Sequence, residues 1–341
     1  MMDNALDTLI YAIQHGQLLY ERGRLLFLNA RNHNGLNDFN NFKITLQQHF
    51  KPYENDLINA GFDVTSNIPT ENKSYDSVIL LLPKNIIEAK YMMANATLLL
   101  SDGGMLICSA DNKSGGGRIK KLMHGFGFQD ISQESRNKAK VAWTIKTNPD
   151  NKVIDEAIEN GSIQTVINNK FLSQAGIFGW NKIDIGSKIL TRFLPDDLNG
   201  IGADFGCGYG YLSEFTLYKN KKIKTIYCID ADHRAIDCCK QNLTSYTCDK
   251  KFLWSDLTNP QTDINNLDFI IMNPPFHDGK NTDINIGVSF INTAHNSLAK
   301  NGRLYMVANK QLPYEDTLAK LFKQSNKLYE GQGFKVFEAV K

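Results

Sequence analysis

Short aliphatic and β-branched runs alternate with helix-patterned stretches along the second half of the chain. Residues 201–204 lead into a glycine-rich turn and a helical stretch at 211–217, and 225–229 is followed by another at 233–243. After a run at 251–254, residues 267–272 precede a helical pattern at 288–298 and 303–307 precede one at 314–323. Strands that are continuously apolar and alternate with helices predict a parallel sheet covered on both faces. The last two runs, 327–330 and 334–340, are separated by little more than Gly331-Gln332-Gly333. So short a link permits an antiparallel hairpin and not a parallel crossover.

The first half repeats this grammar at an offset of roughly 190–200 positions. Residues 76–84 (DSVILLLPK) mirror 268–276 (DFIIMNPPF), 102–107 (DGGMLI) mirror 300–305 (KNGRLY), and 120–122 (KKL) echo 319–321 (AKL). Where the second copy has its glycine turn, the first reads FLNARNHNG at 27–35. The pattern predicts a duplication whose first copy kept the strands and lost the glycine spacing. A polar stretch at 147–162 marks the boundary, giving domains at 1–150 and 163–341.

The length of 341 residues suits two such domains, and 42% hydrophobic with 22% charged residues is a globular composition. No run approaches 18 apolar residues, and the start Met1-Met2-Asp3-Asn4 has neither the basic nor the apolar region of a secretory signal. The expectation is a cytoplasmic protein without a membrane segment, acting as a monomer. Six cysteines without CxxC spacing support neither a disulfide framework nor a metal site. The net charge of +2 says little, but 113–146 carries eight basic and two acidic residues. That segment, with Arg118, Lys120 and Lys121 at its centre, is either an electrostatic footprint for a polyanion or a solvated face.

The candidate chemistry begins at Asp204-Phe205-Gly206-Cys207-Gly208-Tyr209-Gly210, between a strand and a helix. Backbone without Cβ atoms at Gly206, Gly208 and Gly210 can approach a nucleotide-like ligand, and the helix N-terminus adds free N–H donors. Asp230, 26 positions after Asp204, ends the next strand, where a carboxylate can accept ribose hydroxyls in a doubly wound sheet. A nicotinamide dinucleotide site fits less well, because its third small residue would fall on Tyr211. The D-x-G-x-G-x-G spacing instead resembles S-adenosylmethionine-dependent methyltransferases. Asp256, after the run 251–254, is a candidate for the cofactor's adenine amine or an ordinary turn residue.

Asn273-Pro274-Pro275-Phe276-His277 follows the strand at 267–272. Two prolines fix φ and remove two N–H donors, leaving a rigid turn rich in acceptors. An exocyclic amine is a poor nucleophile because its lone pair is delocalised. The Asn273 side-chain oxygen and the Pro274 carbonyl can each accept one of its N–H bonds, aim the lone pair at a methyl donor and stabilise the developing positive charge. Asn273 therefore counts with both the cofactor and the catalytic residues. Phe276 offers a face on which a splayed base can stack, and His277 is either a proton acceptor or a structural residue.

With 175–178 (AGIF), 183–187 (IDIGS), 204–210, 273–279 (NPPFHDG), VAN at 307–309, LPY at 312–314 and FKV at 334–336, the chain resembles the ribosomal RNA guanine-N2 methyltransferases. The resemblance implies two doubly wound α/β, Rossmann-like methyltransferase domains. The first would be a degenerate copy that supports RNA binding, and the second a seven-stranded S-adenosylmethionine-binding domain ending in an antiparallel hairpin. It implies methylation of a guanine N2 in the RNA of the small ribosomal subunit. Another amine substrate, an adenine or a protein glutamine, and a non-enzymatic RNA-binding assembly factor are the alternatives.

Overall fold

The computed structural model describes residues 3–17, 22–259, 263–275 and 282–341. The chain divides into two compact units, Met1–Ser162 and Ile163–Lys341.

The first unit holds strands β1 (Gly23–Leu28), β2 (Phe42–Gln47), β3 (Val64–Thr65), β4 (Tyr75–Leu81), β5 (Leu100–Asp111), β6 (Ser132–Arg136) and β7 (Ala139–Ile145). Its helices are α1 (Asn4–Ala12), α2 (Lys51–Asn59), α3 (Ile86–Leu99), α4 (Ile119–Gly125) and α5 (Asn151–Gly161). The second unit begins with a small hairpin, β8 (Gln164–Val166) and β9 (Phe171–Ser173), and α6 (Ile185–Leu190). Then come β10 (Asn199–Phe205), α7 (Tyr211–Lys219), β11 (Lys222–Asp230), α8 (His233–Asn242), β12 (Asp249–Trp254), β13 (Leu267–Met272) and α9 (Thr282–Ser297). The chain closes with β14 (Leu298–Asn309), α10 (Glu315–Leu321), β15 (Gln324–Gly331) and β16 (Phe334–Val340).

The two seven-stranded sheets share one order, β3-β2-β1-β4-β5-β7-β6 and β12-β11-β10-β13-β14-β16-β15. In each the first five strands are parallel and the last two pair antiparallel, as the short link at 331–333 requires. Gln332 (φ 52°) and Gly333 (φ 83°) both adopt the left-handed conformation of a two-residue hairpin turn. Small details repeat as well. Asp76 accepts from the Arg24 N–H at 2.8 Å, and Asp268 accepts from the Ile201 N–H at 2.7 Å at the same place in the second sheet.

Both faces of each sheet are covered, which explains the near-continuous apolar strands. In β13, Ile270 and Met272 pack with Ile291 and Ala294 of α9, whereas Phe269 and Ile271 pack with Ile189 and Leu212 on the opposite side. Among the described residues no helix is long and apolar enough to cross a membrane.

The polar stretch at 147–162 is not a linker. Asp150 caps α5 by accepting from the Val153 N–H, and Ile154 and Ala157 are buried in the core of the first unit, with α5 packed on α3. A Cβ on Gly161 would lie 2.2 Å from that of Tyr91, so glycine lets the two helices touch. The amphipathic spacing of Val153, Ile154, Ala157 and Ile158 is the signal that the charged residues around it concealed.

Candidate active site

In a doubly wound sheet the strand order reverses at one place, here between β10 and β13, and the crevice at the carboxyl ends of those strands is where ligands sit. The glycine turn, Asp230 and Asn273 all lie at that edge because each directly follows, or ends, one of the strands β10, β11 and β13.

The turn is held from beneath. The N–H groups of Gly206 and Cys207 donate to the Ile229 carbonyl at 2.8 and 3.0 Å, and Gly208 N–H donates to Asp230 Oδ2 at 2.8 Å. Gly206, Gly208 and Gly210 have φ of 74°, 54° and 95°, a region in which a side chain is strained. They differ in what they face. A Cβ on Gly208 would meet nothing within 4 Å, whereas one on Gly210 would lie 2.8 Å from Cys239 Sγ. Gly208 opens on the crevice; Gly210 lets α7 start close to α8. Asn242 adds a brace, its Nδ2 donating to the Tyr209 and Leu172 carbonyls, each at 2.8 Å.

The two aspartates have separate surroundings. Asp204 is fully buried below the turn and accepts from Ser213 Oγ at 2.6 Å, while its Oδ1 has no hydrogen-bond partner. Burial pushes its carboxyl up to about 7. Asp230 accepts from the Gly208 and Asp232 N–H groups, both at 2.8 Å. Burial pushes it up to about 6, with those N–H groups pulling the other way. Each oxygen keeps a lone pair beyond the N–H it receives. Burial also pushes the thiols of Cys207 and Cys239 up, so neither offers a thiolate beside the loop.

Asn273 Nδ2 donates to Asp184 Oδ2 at 2.9 Å and to Ser187 Oγ at 2.8 Å, and its Oδ1 is buried without a partner. The crevice is lined by Gly206, Cys207, Gly208 and Tyr209 of the glycine turn together with Phe178, Asp184, Ser187 and Asn273. A glycine with open space and an orphaned buried acceptor are what a bound cofactor and a substrate donor would fill.

Of the residues read from sequence, Gly206, Gly208 and Asn273 meet in this crevice, Asp230 ties into it through Gly208, and Asp204 and Gly210 support it from outside. Pro274, which follows Asn273, is buried. Phe276 and His277 lie outside the described residues. Asp256 is not among the residues lining the crevice; its Oδ1 accepts from the Thr258 N–H and hydroxyl and its Oδ2 from Asn259 Nδ2, contacts that suit a turn residue. Phe178, Asp184 and Ser187 were not singled out as site residues. All three fall in the stretches 175–178 and 183–187 that carry the resemblance, and Asp184 three residues before Ser187 at the head of an apolar stretch is a cap signal as well.

The first unit shows what the same edge becomes without glycines. Strand register puts Asn29, φ 55°, where the second unit has Gly206, and Leu81 where it has Asn273. Asn29 Nδ2 donates to the Leu81 carbonyl at 3.0 Å and its N–H to Gln47 Oε1 at 3.2 Å, while Gln48 Nε2 donates to the Ala30 carbonyl at 2.7 Å. Its own side chains stitch that edge. The basic segment is also less free than its charge count implies. Arg118 donates to the Pro83 and Lys84 carbonyls at 3.2 and 2.5 Å, and Lys146 is buried, donating to the Thr97 and Leu100 carbonyls at 2.8 and 2.6 Å. Lys113, Lys120, Lys121 and Lys138 are exposed.

Family models describe the same two parts. A methyltransferase small domain matches residues 168–338, half of the chain, and its N-terminal companion matches 13–151. The ribosomal RNA small subunit methyltransferase C of Shewanella pealeana is 31% identical over 281 residues, covering 80% of this chain and 80% of that protein. The chain belongs to the ribosomal RNA small subunit methyltransferase C family. Its counterpart in Psychromonas ingrahamii is 28% identical over 299 residues, covering 86% of this chain and 83% of that protein. Among solved structures, a T. thermophilus 16S rRNA N2 G1207 methyltransferase in complex with AdoMet and guanosine superposes with a TM-score of 0.81 at 21% identity. That likeness of fold covers 98% of this chain and 91% of the other. The two family models divide the methyltransferase C chain where its two seven-stranded sheets divide it.

Proposed function

We propose that the second unit binds S-adenosylmethionine and methylates the exocyclic N2 of a guanine in small-subunit ribosomal RNA, at the position corresponding to G1207. The observation that carries this reading is the buried, unpartnered Asn273 Oδ1 in the crevice that also holds Gly208. Gly206 and Gly208 would let the cofactor approach the backbone, and Asp230 has lone pairs to spare for ribose hydroxyls. When bound, S-adenosylmethionine supplies an electrophilic methyl carbon. The chain's own part is to hold the amine: Asn273 Oδ1 and the Pro274 carbonyl each accept one N–H, so the lone pair is oriented and the growing positive charge meets two acceptors. Phe178, 63% exposed and lining the crevice, adds a flat face to the one read in Phe276. Asp256 takes part through the turn it builds after β12.

Methyl transfer from labelled S-adenosylmethionine to small-subunit RNA or subunits, followed by nuclease digestion and mass spectrometry, tests the assignment. The expected product is N2-methylguanosine at one position. Label in adenosine, in protein or nowhere would refute it.

The family's substrate makes the cytoplasm the place of action. Gly208, Asp230 and Asn273 come from one chain, so a single copy completes the crevice. The first unit is the RNA-binding part in this reading, through its exposed lysines rather than Arg118. Replacing Lys113, Lys120 and Lys121 by alanine should weaken RNA binding without changing cofactor affinity. The salt dependence should flatten by about 2 in log-log slope if all three touch phosphates, at roughly 0.7 per contact on single strands. An unchanged slope would make this segment a solvated face.

A further inference from the structure

Asn273 can accept from a substrate amine only if its amide faces the right way round. A carboxylate accepts and never donates, so the end of the amide that lies 2.9 Å from Asp184 Oδ2 is the NH2 end. Ser187 Oγ receives the same group at 2.8 Å. The oxygen is thereby turned to the opposite side, where it is buried without a partner. A half-turn of the amide would bring its oxygen against the carboxylate and aim two N–H donors at an amine that itself donates. Asp184 is in turn fixed, because the same Oδ2 accepts from the Ser187 N–H at 2.8 Å and caps α6. We propose that Asp184, assisted by Ser187, is a positioning residue that locks the Asn273 amide with its oxygen toward the reacting amine. This rests on the reading in which Asn273 addresses the substrate.

Two donors converge on one oxygen, so Asp184→Asn can supply it as a carbonyl. Asp184→Ser keeps a helix-capping oxygen but is one atom too short to serve Asn273 as well. The serine variant should fold with an unchanged melting temperature and bind S-adenosylmethionine with wild-type affinity. Its kcat should fall roughly 10- to 100-fold, as for loss of a charge-assisted hydrogen bond. The asparagine variant should recover most of that rate. A second measurement does not depend on turnover: the Asn273 side-chain NH2 protons, assigned in NMR spectra against Asn273→Ala, should exchange slowly in the wild type and the asparagine variant and faster in the serine variant. Wild-type kcat in Asp184→Ser, equal losses in both variants, a parallel loss of cofactor affinity, or unaltered NH2 exchange would each overturn the proposal. If the wild-type protein methylated no guanine, the assignment of the reaction would fail while the exchange measurement still decided the role of Asp184.

Discussion

Asn273→Ala should lower kcat by roughly 10²–10³, the loss seen when one preorganised partner of the developing charge is removed, and should leave cofactor affinity within a few-fold. The alanine keeps the turn, because Pro274 and Pro275 still fix the backbone, but removes an acceptor that is buried and unpartnered in the crevice. Asp230→Ala should do the reverse. Losing hydrogen bonds to a charged acceptor weakens cofactor binding by about 1.5–3 kcal/mol, and releasing the Gly208 and Asp232 N–H groups loosens the turn in addition. Calorimetry for the cofactor and single-turnover methyl transfer at saturating cofactor separate the two. Should cofactor affinity fall with rate in Asn273→Ala, or survive in Asp230→Ala, the division of labour between these residues would be wrong.

That division was legible in the sequence because it is written at strand ends. A glycine turn after one apolar run, an aspartate closing the next and Asn-Pro-Pro after a third are local patterns, and the sheet topology that joins them follows from the alternation of strands and helices. What the pattern does not carry is contact between distant segments. Asp184 and Asn273 are 89 residues apart, and only the fold sets one against the other. Burial is equally silent: Lys146 counts as a surface cation in sequence yet spends its ammonium on two main-chain carbonyls, and Asp204 reads as a ligand yet lies fully buried beneath the turn it supports. The charge of α5 concealed a helix for the same reason, since a few apolar positions at the right spacing outweigh many polar ones facing solvent.

The buried position of Asp204 has a measurable consequence. The stability of the cofactor-free protein should carry a component that falls as pH rises from about 4 to about 8, and Asp204→Asn should remove it. The ordinary carboxyl value is 3.8 and the fold raises it to about 7, so between these values the folded chain keeps a proton that the unfolded chain has released. The stabilisation linked to that proton is complete below the unfolded value and is lost as pH climbs through the folded one. A rise of this size corresponds to on the order of 4 kcal/mol, and Asp230, raised to about 6, contributes in the same direction in both proteins. Asparagine keeps an oxygen for Ser213 Oγ but sets an NH2 where Oδ1 has no partner, a cost that does not vary with pH. The informative quantity is therefore the difference between the two proteins in urea unfolding, followed with pH. The variant should gain on the wild type by several kcal/mol between pH 4 and 8. A difference that stays constant over that range would mean that Asp204 titrates alike in the folded and unfolded chains, and burial would then not be what sets its carboxyl.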